Sequence, residues 1–107
     1  MAEYPKNFLK LKEQYPELVR AYESAGELGR RAGPLDSKFT HLAQMAACVA
    51  LRSEGGVHSH TRRALEAGAT PSELYHILVV LISTTGFPAA AAAFSWVNDV
   101  IQGKGKA

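Results

Sequence analysis

One cysteine, Cys48, and one tryptophan, Trp96, occur in the 107 residues. A lone cysteine cannot close an intrachain disulfide, so neither a disulfide framework nor an internal dithiol switch is available. Charge of one sign is scarce as well. The formal net charge is +2, and the twelve Lys and Arg are scattered except at Arg30-Arg31, Arg62-Arg63 and the last few residues. So mild a balance gives no reason to expect a nucleic-acid partner. No run of about 18 uncharged apolar residues offers a membrane span, and Met1-Ala2-Glu3-Tyr4-Pro5-Lys6 lacks the basic-then-apolar pattern of a secretion signal. A cytoplasmic protein with no membrane partner is expected. Sustained alternation of β-branched residues is missing too, which argues against a sheet.

Apolar residues make up 47% of the chain and charged residues 21%, ordinary globular usage. At this length one domain is expected over 1–107, burying roughly 65% of its unfolded surface. Its core should span 16–101, with a mobile tail over 103–107. No internal repeat is visible.

Helical spacing recurs along the chain and predicts an all-α fold of about six helices. The first runs from about Pro5 to Gln14. Pro16 suits the first turn of a second, which extends to Arg31 with Leu18, Val19, Tyr22, Ala25 and Leu28 as apolar positions and closes at Gly33-Pro34. Asp36 can cap a third helix, whose Phe39, Leu42, Ala43, Ala46, Val49 and Ala50 form an apolar stripe. Gly55-Gly56 reads as an interruption, followed by a short helix from about Val57 to Glu66 ending at a left-handed Gly68.

Thr70-Pro71-Ser72-Glu73 has the composition of a capping box with proline at the first helical position. The helix it opens is apolar around most of its circumference, as expected of a helix central to the fold or packed between subunits. Gly86-Phe87-Pro88 restarts the chain as a last helix through Ala89–Ala93 to Ile101. Together the two C-terminal helices carry more apolar surface than one small subunit readily covers, so a homo-oligomer is expected.

Three blocks carry a resemblance. Gly33-Pro34-Leu35-Asp36-Ser37-Lys38, then His60-Thr61-Arg62-Arg63-Ala64-Leu65-Glu66-Ala67-Gly68-Ala69-Thr70, then Gly86-Phe87-Pro88-Ala89-Ala90 resemble, in order and spacing, the carboxymuconolactone decarboxylase and AhpD-like family. The peroxide-reducing branch of that family carries a glutamate, a Cys-x-x-Cys pair and a histidine. Counted back from His60, those positions hold His41, Ser53 and Gly56, so only the histidine is kept. Without an attacking thiolate and a resolving thiol that chemistry has no nucleophile. Cys48, mid-helix and outside the motif, reads as a small buried apolar residue.

The resemblance therefore points to the decarboxylase branch. It implies loss of carbon dioxide from a small γ-carboxylated unsaturated lactone, whose own ring and carbonyl accept the electrons, so no cofactor is called for. The protein must then grip carboxylates, stabilise a dienolate oxygen and return a proton. His60 suits the proton donor, since an imidazole titrates near neutrality. His41 can face it where the family has its glutamate. Arg52 and Arg62 are the candidate carboxylate clamps, and the Ser53 and Ser59 hydroxyls are candidate donors. The bland readings stay open beside these: a buried structural histidine at 60, solvated arginines at 52 and 62, and an oligomeric binding protein without catalysis.

His58 and His60, two apart, lie about 200° apart on a helix and cannot chelate one ion together, so no metal is expected. His76 reads as an interface or core histidine. Phe87, Phe94 and Trp96 read as packing residues, Trp96 also as a wall of the site. Trimers or hexamers are what the resemblance implies for assembly.

Overall fold

A computed structural model describes residues 6–103 as six helices with no strand among them. They are α1 (Lys6–Gln14), α2 (Pro16–Arg31), α3 (Ser37–Ala50), α4 (Glu54–Glu66), α5 (Pro71–Thr85) and α6 (Phe87–Ile101). Met1 to Pro5 and the residues after Gly103, expected as a mobile tail, lie outside the described residues. No helix among those described is long and apolar enough to cross a membrane.

Local chemistry sets most boundaries. Asp36 Oδ1 accepts the Phe39 N–H at 3.0 Å and opens α3. At α5 the capping box is complete: Thr70 Oγ1 accepts the Glu73 N–H at 3.1 Å, and the Glu73 carboxylate accepts the Thr70 N–H at 2.9 Å. Gly68 follows α4 at φ 105°, a conformation that favours glycine. Lys38 and Glu73 pair at 3.1 Å, joining the first turns of α3 and α5, and Tyr75 donates to Asn98 at 2.6 Å, joining α5 to α6.

The core lies among α3 to α6. Met45 and Val49 of α3, Val57 and Ala64 of α4, Leu74 and Leu78 of α5, and Ala89, Ala93 and Val97 of α6 are buried together. The most extensive packing is α3 on α4, followed by α5 on α6 and α4 on α6. The alanines Ala89 and Ala93 of α6 are buried in that core. By contrast α1 and α2 pack mainly on each other, and Val19 is the one buried residue among their described positions. This arm leaves the radius of gyration at 13.9 Å, against about 13 Å for a compact chain of this length.

Four expectations need correction. Helix α2 ends at Arg31 as expected, but its cap is Ala32 in right-handed conformation, and Gly33 takes no left-handed cap. The α3 stripe is rotated: His41, Leu42, Met45 and Val49 are buried, while Phe39, Ala43 and Ala50 are exposed, because an alanine-rich helix has no sharp apolar edge to fix its face. The break before α4 falls at Leu51-Arg52, where Arg52 adopts φ 57°, and Gly55-Gly56 belong to the first turn of α4. His76 is exposed on α5, so it is not a core residue.

Candidate active site

Gly56 explains why α3 and α4 come so close at this end. A Cβ added there would lie 2.5 Å from Cys48 Sγ and 2.9 Å from Ser53 Oγ. A hydrogen is all that fits. Ser53 spends its hydroxyl as the α4 cap, accepting the Gly56 N–H at 3.1 Å. Burial pushes the Cys48 thiol up from its ordinary value, which lowers its thiolate fraction and suits a packing residue. The positions that hold the cysteine pair in the peroxide-reducing branch thus form a tight helix junction.

Further along the same two helices, His41 and His60 meet with Nδ1 to Nδ1 at 3.2 Å and ring centroids 5.4 Å apart. His41 is buried, and His60 is half-buried on the face of α4 that also presents Val57 and Ala64 to the core. Two like nitrogens at this distance bond only if one ring donates N–H and the other presents a lone pair. Both rings are pushed down to about 4. For His41 the main cause is loss of solvation, followed by the charges of Arg63 and Arg30; for His60 it is loss of solvation, then His41, Arg63, Arg30 and Arg62. At neutral pH the pair is uncharged, so complementary tautomers are available.

Beside His41 lies a cavity of about 450 Å³ between the end of α2 and the start of α3, lined by Glu27, Arg30, Arg31, Leu35, Thr40 and Arg63 among others. Loss of solvation and the charge of Arg63 lower the Arg30 guanidinium from its usual value, with Glu27 opposing. None of the ion pairs among the described residues uses an arginine. The cavity therefore offers cationic donors to an anion.

The structure brings His41 and His60 together. It does not gather the other candidates around them. Arg52 sits exposed in the α3–α4 turn, Ser53 caps α4, and neither Arg62 nor Ser59 lines the cavity, although the charge of Arg62 reaches His60. Trp96 packs against the core and lines no part of the cavity; Phe94 meets the Tyr75 ring at a tilt, centroids 5.4 Å apart, and Phe87 is exposed. The cationic cavity opens beside His41 and is lined partly by exposed residues.

Arg30, Arg31 and Arg63 escaped the sequence reading. Arg63 stands three residues after His60 and so shares its helix face, whereas Arg62, two residues on, starts from a different face. That spacing could have identified it. No local signal could place Arg30, which reaches the site from another helix.

The family profile of the carboxymuconolactone decarboxylase family matches residues 16–99. The chain belongs to that family. The crystal structure of a family member from Legionella pneumophila superposes with a TM-score of 0.79 at 24% identity, covering 92% of this chain and 88% of that one. At that identity the likeness speaks to the fold. An uncharacterized protein of Haemophilus influenzae is 32% identical over 59 residues, 55% of this chain, and the chain spans about half the length of that relative. The AhpD-like, all-α architecture expected from the three sequence blocks is the one found.

Proposed function

We propose that this family member is a cofactor-free lyase that decarboxylates a small carboxylated lactone, with Arg30 and Arg63 as carboxylate clamps and the His41–His60 pair as the proton carrier. The observation that carries this reading is the coupling of an uncharged histidine pair to two arginines beside an open cationic cavity.

The free protein holds the pair almost wholly deprotonated. With values of about 4, roughly one ring in a thousand is charged at pH 7. An arriving carboxylate changes that balance. It offsets the guanidinium charges that press on the rings and adds an attraction of its own, worth about 3 kcal/mol at 5 Å in a medium of effective dielectric 20. That is about two pH units for each carboxylate, enough for a dicarboxylate to charge one imidazole as it binds.

The bond from ring carbon to carboxylate then breaks, carbon dioxide leaves, and the electron pair moves through the ring double bond to the lactone carbonyl. The imidazolium returns one proton to carbon, yields the enol-lactone and becomes neutral again. Arg62 adds to the field at His60. In this arrangement Arg52 and Ser53 belong to the α3–α4 junction, where Ser53 caps α4, and Ser59 precedes His60 on α4.

Assembly completes the reading. Leu18, Tyr22 and Leu28 on α2, and Val79, Val80 and Ile82 on α5, are exposed in the single chain, as are the surfaces of the α1–α2 arm. A homo-oligomer, a trimer or hexamer, covers them, and it gives exposed His76 an interface role.

The test is release of carbon dioxide from γ-carboxymuconolactone by purified protein, beside His60→Gln and Arg63→Gln variants that keep the wild-type fold and assembly. Turnover that collapses in His60→Gln and shows a raised KM in Arg63→Gln is expected. Absence of turnover in the wild type overturns the decarboxylase reading for this substrate.

A further inference from the structure

On the face of α4 away from the histidine pair, His58 is buried at 2% exposure, yet its Nε2 points at two carboxylates. Asp99 Oδ2, from α6, lies at 3.1 Å and Glu54 Oε2, one helical turn earlier on α4, at 4.0 Å. All three ligand atoms lie within 4.8 Å of one another. A zinc-type ion bound at about 2.0 to 2.2 Å from nitrogen and oxygen ligands needs ligand atoms about 3.3 Å apart at the tetrahedral angle. The His58 separations bracket that value.

From this geometry we infer that Glu54, His58 and Asp99 form a binding site for one divalent transition cation, independent of the histidine pair. The parts differ usefully in rigidity. His58 is fixed between packed helices, whereas Glu54 and Asp99 keep side-chain exposures of 53% and 36% and can close in by small rotamer changes. Their exposed side leaves room for water to complete the coordination shell. Charge decides between the two histidine sites of the chain. A neutral imidazole and two carboxylates balance a divalent cation, while His41 and His60 lie in the field of Arg30 and Arg63, which repels one. Nitrogen and oxygen donors without thiolate suit zinc, cobalt or manganese in the divalent state. Binding there ties α4 to α6, since each helix supplies a ligand.

The experiment uses the full 107-residue chain, stripped with a chelator and titrated with Zn2+ by calorimetry and with Co2+ by visible absorption. One ion per chain is expected, with a rise in Tm on saturation. Glu54→Gln at an exposed position and Asp99→Asn at a half-buried one are expected to fold and to weaken binding at least tenfold; His58→Gln removes it. His41→Gln and His60→Gln together leave it in place. Absence of stoichiometric binding overturns the inference. So does binding that survives Asp99→Asn and Glu54→Gln unchanged, or that disappears with the His41 and His60 substitutions, which would place the ion at the other pair.

Discussion

Acidification is the simplest perturbation of the histidine pair. Both rings titrate at about 4 in the folded chain and at the ordinary 6.5 once unfolded. A folded value held below the unfolded one means the unfolded state binds the extra protons. The stabilisation is complete above about pH 6.5 and is lost as pH falls toward 4. For one fully buried ring the loss between pH 7 and pH 5 is about 2 kcal/mol. His41 is 5% exposed and takes nearly all of that. His60 is half-buried, and the two rings share one site, so its contribution is smaller and the pair together loses about 2 to 3 kcal/mol. At a urea dependence of about 1.5 kcal/mol/M this lowers the unfolding midpoint by about 1.5 M. Urea unfolding at fixed protein concentration, at pH 7 and pH 5, measures it, with the His41→Gln, His60→Gln double variant as reference for the remaining histidines. A wild-type midpoint that does not move, or a double variant that loses as much as the wild type, would refute the reasoning.

Gly56→Ala puts a Cβ against Cys48 Sγ and Ser53 Oγ and is expected to cost about 1 to 3 kcal/mol in chemical denaturation, with part of the loss recovered when Cys48→Ala is added. Arg63→Gln takes one positive charge from both rings, so histidine NMR titration of the free protein should show both titrating at higher pH than in the wild type. Met45→Ala empties a fully buried position facing the core and should cost about 2 to 5 kcal/mol. Thr70→Ala removes the hydroxyl half of the α5 capping box, a loss of about 1 kcal/mol by thermal or chemical melting.

Where a boundary depends on neighbours in sequence, the residues themselves revealed it. Asp36, Thr70 with Glu73, Pro16 and Gly68 act within one turn of the chain, and each stands where its own chemistry puts it. Gly55-Gly56 misled because the reason for Gly56 is tertiary: the Cys48 side chain occupies the space of its Cβ, and nothing within a turn of Gly56 announces that. The buried side of α3 was obscured by its alanines, which fit either side of a helix. At the site, the meeting of His41 and His60 followed from helix faces together with the family resemblance. The cationic wall did not, because Arg30 arrives from the far end of α2, a helix whose position is set by packing at a distance. His58 was read only against His60, its neighbour in sequence, while its carboxylate on α6 is forty-one residues away.

The central event is the charging of an imidazole when a dicarboxylate enters the Arg30–Arg63 cavity. Histidine-selective NMR titration of the wild-type protein, with and without a saturating small unreactive dicarboxylate, reads it directly. A rise of about two pH units or more in the apparent value of the His41–His60 pair on binding, absent in Arg63→Gln, is the predicted result. A pair that keeps its value of about 4 with the dicarboxylate bound would contradict the account, because no proton would then be available to the carbon that loses carbon dioxide.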